Sequence, residues 1–478
     1  MAAKHRIEEL KKDFEGAELG DARRSDRLVR VVESVAEKPG IGFPKALGSR
    51  AELEAFYRFV NNDAFDAAAV SKPHRTATLC RALASDEDVA VIHDTTVVEF
   101  RGEGTRDGMG YTSAVNRQGF LAHVSLCLGA TSGLPFGVGE LQTFIRTKKA
   151  RQRKQVSDAK SQAAPLESAR WLAGVEAVES AGLRGRAIHL MDAEADFFGL
   201  LQSMRSAGSR FVVRAGHFER LVLEDEDGEE DEFLHLAEVI ETIKPVAHRI
   251  IELSERKVNT KTQGSRGRRQ HPARRARDAK VSIGATTIAL GIKRRPAIER
   301  FEVNVVRVWE DSPPPGEPAV NWVLFTSESI AKESDLKRVV DLYRVRWLIE
   351  EFFKALKTGC ALERRQIESY DGFCKVLAIL APIAYQLMWL RGKGRLHPDE
   401  PAETVFTKVE LEILHRARAT RGMPKAKTVS DALLLLARLG GHLKNNGPPG
   451  WMTLGLGYQE LLLLRMGWQM AMNALEEM

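Results

Sequence analysis

Short apolar runs set the first limit on the fold. Val89-Ala90-Val91-Ile92 leads to Asp94, and the run from Arg186 to Met191 ends at Asp192. Phe211-Val212-Val213 is a third run, and Asn321 to Thr326 (N-W-V-L-F-T) is a fourth. Runs this short, bounded by polar residues, fit core strands better than helices. Two more strands are expected over 119–145, around the turn signal Gly133-Leu134-Pro135. The spacing of Trp171, Leu172, Val175 and Val178 predicts a helix opened by Pro165 and ending near Ala181. Strands, a helix and further strands in that order indicate a mixed α/β domain.

Helical patterns flank this core. Ile7, Leu10 and Phe14 share a helical spacing, as do Leu28, Val31, Val32 and Val35. Pro39-Gly40 and Gly42-Phe43-Pro44 break that pattern before a second helix near Arg50 to Val60. From Ser334 the pattern is helical almost to the end. The Leu433–Leu436 and Leu461–Leu464 clusters there suit either an interface or a core. Residues 217–320 read as an inserted β-rich unit. They hold an acidic run, Glu224 to Glu232, a basic tract, Arg256 to Lys280, and β-like segments at Ala247–Leu253, Val281–Leu290 and Phe301–Val308.

Charge matters here by position, not by total. Lys and Arg number 71 and Asp and Glu 65, a net charge of only +6. The cations are concentrated in Arg146 to Lys160, in Arg256 to Lys280 and in the first helices, through Arg23, Arg24, Arg27, Arg30, Arg50 and Arg58. Those helices suit a small DNA-binding module, or a bundle with a solvated charged face. The tract 256–280 either tracks DNA or forms a loop. The four cysteines form no C-x-x-C pair, which removes the usual signal for a zinc ribbon or a thioredoxin-like site. The longest apolar stretch, Val376 to Leu390, is interrupted by Pro382 and Gln386 and is shorter than the ~18 residues of a membrane span. With no apolar segment at the N-terminus, the expectation is a soluble, cytoplasmic protein without a membrane partner, which a DNA-binding role would make nucleoid-associated.

The most informative stretch is Asp341 to Gly359, D-L-Y-R-V-R-W-L-I-E-E-F-F-K-A-L-K-T-G. On one helix at about 100° per residue, Arg346, Glu350, Lys354 and Lys357 fall within roughly 60° of Tyr343. Leu342, Val345, Leu348, Ile349, Phe352 and Leu356 gather on the other side, and Glu351 lies about 90° off the polar strip. Such a strip is either a solvated face with ordinary ion pairs or a phosphodiester site. In the second case the carboxylate binds a divalent metal, the cations hold phosphate oxygens and the ring stacks on a base.

Tyr343-x-x-Arg346-x-x-x-Glu350-x-x-x-x-x-x-Lys357 resembles the Y-(2)-R-(3)-E-(6)-K signature of the IS-four family of DDE transposases. Other segments resemble that family in the same order. They are L-G-D-A-R-R-S-D-R-L (Leu19–Leu28), E-A-F-Y-R-F (Glu54–Phe59), D-T-T (Asp94–Thr96), D-A-E-A-D (Asp192–Asp196), R-F-V-V-R (Arg210–Arg214) and R-L-G-G (Arg438–Gly441).

The resemblance implies an α/β fold with a ribonuclease-H-like catalytic core and a β-rich insertion, flanked by helical N- and C-terminal domains. The implied domains are 1–72 for transposon-end recognition, 73–368 for catalysis with the insertion at about 217–320, and 369–478 for dimerisation. It implies that Asp94, Asp192 and Glu350 are catalytic and bind Mg²⁺, with Mn²⁺ able to substitute; Glu194 and Asp196 are then capping or supporting residues. Arg214, Tyr343, Arg346 and Lys357 would contact end phosphates, with Lys354 on the same strip. Trp322 would stack on a flipped base, its alternative being core packing beside Val323 and Leu324. Arg23, Arg24 and Arg27 fall in the end-binding segment. The implied activity is cut-and-paste transposition by a homodimer acting on transposon-end and target DNA. Two rivals stand beside it: a ribonuclease-H-like nuclease that cuts without joining, and a non-catalytic DNA-binding regulator. The intact acidic triad argues against the regulator.

Overall fold

The structure is a computed structural model that describes residues 6–100, 105–112, 117–146, 168–223, 233–253, 255, 274–294, 297–417, 420, 422–443 and 449–476. In chain order the first helices are α1 (Arg6–Phe14), α2 (Ala22–Glu37), α3 (Phe43–Ala46), α4 (Arg50–Val60) and α5 (Ala67–Leu83). Strands β1 (Val89–Phe100), β2 (Gly110–Tyr111), β3 (Gln118–Gly129) and β4 (Pro135–Phe144) follow. Next come α6 (Ala169–Val178), β5 (Ala187–Met191), α7 (Phe198–Ser206), β6 (Arg210–Arg214), β7 (Leu221–Leu223), β8 (Phe233–His235) and α8 (Leu236–Thr242). Then come β9 (Ala247–Leu253), β10 (Arg277–Arg294), β11 (Ala297–Trp309) and β12 (Asn321–Thr326). The last helices are α9 (Glu333–Val345), α10 (Leu348–Lys354), α11 (Tyr370–Leu396), α12 (Lys408–Arg416), α13 (Val429–Leu439) and α14 (Trp451–Glu476). The chain is therefore mixed α/β with helical termini. It divides into two compact units, one of Met1–Glu87, Thr95–Gln162 and Leu348–Met478, the other of Asp88–Asp94 and Ala163–Trp347.

In the second unit the first half of β1 pairs in parallel with β5, and β5 in parallel with β6. Beyond β6 the pairing turns antiparallel through β12, β11 and β10, with β7 and β9 on β10 and β8 on β7. The core joins Phe211, Val213, Phe325, Val305 and Leu290 of the strands to Trp171, Val175, Leu201 and Met204 of α6 and α7. Strands β10 and β11 run beyond the segments expected from composition. The end of the basic tract, Arg277 to Lys280, belongs to β10, with Ala279 buried and Arg277 ion-paired to Glu310 at 2.5 Å. The acidic run 224–232, the stretch 147–167 with Pro165, and the basic tract over 256–273 lie outside the described residues. Four charged groups close a ring in this unit. Arg210 donates to both oxygens of Glu328 at 2.9 and 2.7 Å and to Asp88 at 2.9 Å, and Arg338 reaches Glu328 at 3.0 Å and Asp88 at 2.6 Å. The ring ties α9 to the strands that carry it.

In the first unit the N-terminal helices bury the expected apolar faces, including Leu10, Phe14, Leu28, Val32, Val35, Phe56 and Phe59. Asp21 caps α2 through the Arg23 N–H, and Ser49 caps α4 through the Glu52 N–H. The Gly42-Phe43-Pro44 break holds a single turn, α3, in which Pro44 loses no helical hydrogen bond. Strand β3 pairs antiparallel with β4. Helix α11 extends well beyond the apolar stretch Val376 to Leu390. It is long and apolar enough to cross a membrane by composition, but 94% of that window is buried inside the protein. The leucine clusters are split: Leu433, Leu435, Leu436, Leu461 and Leu462 are buried, whereas Leu434, Leu463 and Leu464 are exposed.

Helices α13 and α14 approach at two glycines. A Cβ on Gly457 would lie 1.9 Å from the Leu436 carbonyl oxygen, and one on Gly440 1.9 Å from that of Thr453. Backbone cannot step aside as a side chain can. Gly457→Ala is therefore expected to cost about 1–3 kcal/mol and to lower the thermal unfolding midpoint. Gly467→Ala, whose Cβ meets nothing within 4 Å, is the control and should not lower it.

Two buried histidines make stability depend on pH. Asp13 of α1 accepts a hydrogen bond from His74 Nδ1 at 2.7 Å and is paired with Arg81 of α5 at 2.8 Å. Burial pushes Asp13 up, but the hydrogen bonds from His74 and Arg81 outweigh it and hold the carboxyl below its ordinary 3.8. Burial lowers His74 below 6.5 despite Asp13, and lowers His189 of β5 despite Glu179. Both rings gain protons on unfolding in mild acid, and stability rises with pH wherever the unfolded chain binds more protons. Denaturant titrations at several pH values should give constant stability between about pH 7 and 8, and a fall as pH drops below the histidines' ordinary 6.5.

Candidate active site

The site begins with strand register. Val89, Ala90, Val91 and Ile92 of β1 stand opposite Ala187, Ile188, His189 and Leu190 of β5. Two residues beyond the last of these pairs come Asp94, still within β1, and Asp192, immediately beyond the end of β5. Neighbouring strands lie about 4.8 Å apart, and the carboxyl ends of parallel strands are where open α/β sheets bind ligands. Both aspartates lie within electrostatic reach of one guanidinium, that of Arg346.

Their neighbours are committed elsewhere. Asp192 accepts the Glu194 N–H at 2.9 Å, capping the short turn Ala193–Ala195. Glu194 pairs with Arg170 at 3.0 Å. Asp196 is buried, accepts the N–H groups of Gly216 and His217 at 2.7 and 3.0 Å, and pairs with Arg220. Asp192 is the acid of D-A-E-A-D that acts with Asp94 on Arg346.

A cation faces the pair. Arg346 follows α9 directly, and its guanidinium lies 3.6 Å from Asp94. Burial lowers the Arg346 pKa, but Tyr343, Asp192 and Asp94 together outweigh burial and raise it. The guanidinium stands 5.7 Å from the centre of the Tyr343 ring, and that ring meets Trp322 edge-on at 5.5 Å. Trp322 is half-buried near the start of β12, and half-buried Arg214 ends β6, in register with Leu324.

The segment 341–359 departs from the single helix expected from its spacing. Helix α9 stops at Val345, Arg346 and Trp347 form a turn, and α10 starts at Leu348. Three-residue hydrogen bonds tighten the break, from the Arg346 N–H to Tyr343 O and from the Trp347 N–H to Arg344 O. Tyr343 is buried, so it does not lie on a solvated strip, and it shares no helix face with Lys357.

In the other unit, Glu350 is half-buried in the first turn of α10 and has no hydrogen bond or ion pair among the described residues. Glu351 is fully engaged, with Arg391, with Lys354 at 3.1 Å and with Trp451 Nε1 at 3.1 Å. Lys357 lies in a π-helical turn, Ala355–Gly359. It donates to Val97 O at 2.6 Å and pairs with Glu363 at 3.3 Å. Among the N-terminal arginines, Arg23 is exposed and paired to Asp21 at 2.9 Å. Arg24 bonds Leu19 O at 3.1 Å and Arg27 pairs with Glu52.

One chain near the aspartates is invisible in the sequence. His93 Nε2 meets His189 Nδ1 at 2.9 Å, and His189 Nε2 faces Glu179 at 3.4 Å, all buried. The only hint is that a histidine precedes each aspartate closely, in runs that otherwise read as apolar core.

Among the described residues no three His, Cys, Asp or Glu form a ready metal cluster. The donors nevertheless suit a hard divalent cation. Asp94 and Asp192, both acting on the Arg346 guanidinium, offer the carboxylate oxygens such an ion takes.

Two family models match the chain. Residues 8–65 match a transposase DNA-binding model, and residues 147–386 match a transposase DDE domain model. The second match includes Asp192, Arg346, Glu350 and Lys357, and it begins after Asp94. Because it covers half of the chain, and the first match supplies the DNA-binding part, the protein belongs to the DDE transposases and acts on DNA.

Proposed function

We propose that this chain is a cut-and-paste transposase of the IS-four family, in which Asp94, Asp192 and Glu350 hold Mg²⁺ and cleave the transposon end. The observation that carries the reading is Arg346, 3.6 Å from Asp94 and acted on by Asp192 as well, in a chain that matches the DDE domain model. Bound Mg²⁺, or Mn²⁺ in its place, would supply Lewis acidity for in-line displacement at phosphorus. The chain's own residues hold the substrate. Arg346, Lys357, Arg214 and Lys354 neutralise phosphate oxygens, Tyr343 orients Arg346, and Trp322 takes a flipped base on its exposed face. Arg23, Arg24 and Arg27 belong to the end-recognition surface of residues 1–72.

Hydrolysis at the end frees a 3′-OH, which attacks the opposite strand and closes a hairpin; after opening, the freed ends attack target DNA. Each step exchanges one phosphodiester oxygen for another, so one ribonuclease-H-like site, with its β-rich insertion at about 217–320, serves them all. Residues 369–478 form the dimerisation domain. The exposed Leu463, Leu464, Met466 and Met470 of α14 support a homodimer with one end on each subunit. Strand transfer with pre-cut ends tests the reading. Joining into target DNA is expected; cleavage without joining would leave a nuclease, and end binding without either would leave a regulator.

A further inference from the structure

We propose that Arg346 is an internal counter-ion that competes with the divalent cation for Asp94 and Asp192, so that metal loading and release of Arg346 toward a phosphate are one exchange. The inference rests on the reading of Asp94 and Asp192 as metal ligands and adds a regulation of that site.

Three observations carry it. First, Arg346 is placed on a carboxylate itself: its guanidinium lies 3.6 Å from Asp94, and both side chains are only 13% exposed. Second, Asp192 as well as Asp94 acts electrostatically on the same guanidinium, so the two negative charges share one cation, which relieves their mutual repulsion. Either a guanidinium or a metal ion can do this, but an oxygen paired to one is a poorer ligand for the other. Third, Arg346 has somewhere to go. It sits in the break between α9 and α10, a turn of two residues, not in the interior of either helix. Its ring contact with Tyr343 keeps it in the site without binding it to a carboxylate. A strong anion such as a DNA phosphate offers the guanidinium a bidentate partner that replaces Asp94. Metal ion and phosphate then favour each other's binding, and either alone must work against the Arg346–Asp94 pair.

The test is Mn²⁺ binding to the full-length protein without DNA, by titration calorimetry and by the electron paramagnetic resonance signal of free Mn²⁺. Arg346→Gln removes the competing charge and is expected to bind Mn²⁺ about tenfold tighter than wild type. Arg346→Lys keeps the charge and should stay close to wild type, which separates charge from lost bulk. Asp94→Asn should lose the site. Equal affinity in Arg346→Gln and wild type, with the site lost in Asp94→Asn, would overturn the exchange and leave the metal assignment standing. Binding unaffected by Asp94→Asn would overturn both. Far-ultraviolet circular dichroism of each variant confirms that a folded chain is compared.

Discussion

Glu350→Ala is expected to reduce Mg²⁺-dependent cleavage of a transposon end by on the order of 10³-fold or more while leaving thermal stability unchanged. The expectation follows from what surrounds the carboxylate. Glu350 is half-buried in the first turn of α10 and makes no hydrogen bond or ion pair among the described residues, so its removal breaks no contact. The adjacent acid is the internal control. Glu351 holds Arg391, Lys354 and the Trp451 indole N–H, so Glu351→Ala leaves a half-buried guanidinium without its carboxylate. It should destabilise the fold while leaving the chemistry of correctly folded molecules intact. Cleavage assays and denaturant unfolding on both variants check this. If Glu351→Ala proves catalytically dead and stable, and Glu350→Ala active, the two acids have been assigned the wrong way round.

The largest loss of stability is expected from Glu328→Ala. Glu328 is buried and accepts from Arg210 through both oxygens and from Arg338 through one. Its hydrogen bonds, then those of Asp88, hold the Arg210 guanidinium well above its ordinary pKa. Truncation leaves two arginines sharing Asp88 alone. Removing one partner from a buried ion pair costs about 3–5 kcal/mol, because the remaining charge stays desolvated. Partial exposure of Arg210 and Arg338 puts the expectation at the lower end of that range. Denaturant unfolding measures it. Arg338 lies on α9, whose last turn carries Tyr343 and leads into Arg346, so end cleavage should fall as well. Asp335→Ala, on the same helix but outside the ring, should not match either effect.

Much of the local structure was legible in the sequence. The helix breaks at Pro39-Gly40, the turn at Gly133-Leu134-Pro135 and the strand Asn321–Thr326 follow from residue types acting over a few positions. What was not legible depends on partners far along the chain. Nothing in the stretch between Asp94 and Asp192 announces that they belong together; the parallel pairing of β1 with β5 just before them, and the shared Arg346, do that. The turn at Arg346-Trp347 contains neither Pro nor Gly, so helical periodicity ran straight through it. Tyr343 looked solvent-facing on that false helix and is buried against Trp322. Arg277 looked like part of a basic loop because its ion-pair partner, Glu310, lies far along the chain. The acidic triad itself came from resemblance to a family, since spacing alone gives no reason to join two strand ends to a helix.

The central claim is that Asp94 and Asp192 together hold the metal that cleaves DNA. It is tested most directly with Asp94→Asn and Asp192→Asn, using an end sequence selected by binding from a random pool. End binding and Mg²⁺-dependent cleavage are measured in the same samples. Both variants should bind the end at least as well as wild type does, and neither should cleave it. Wild-type cleavage by either variant would contradict the account.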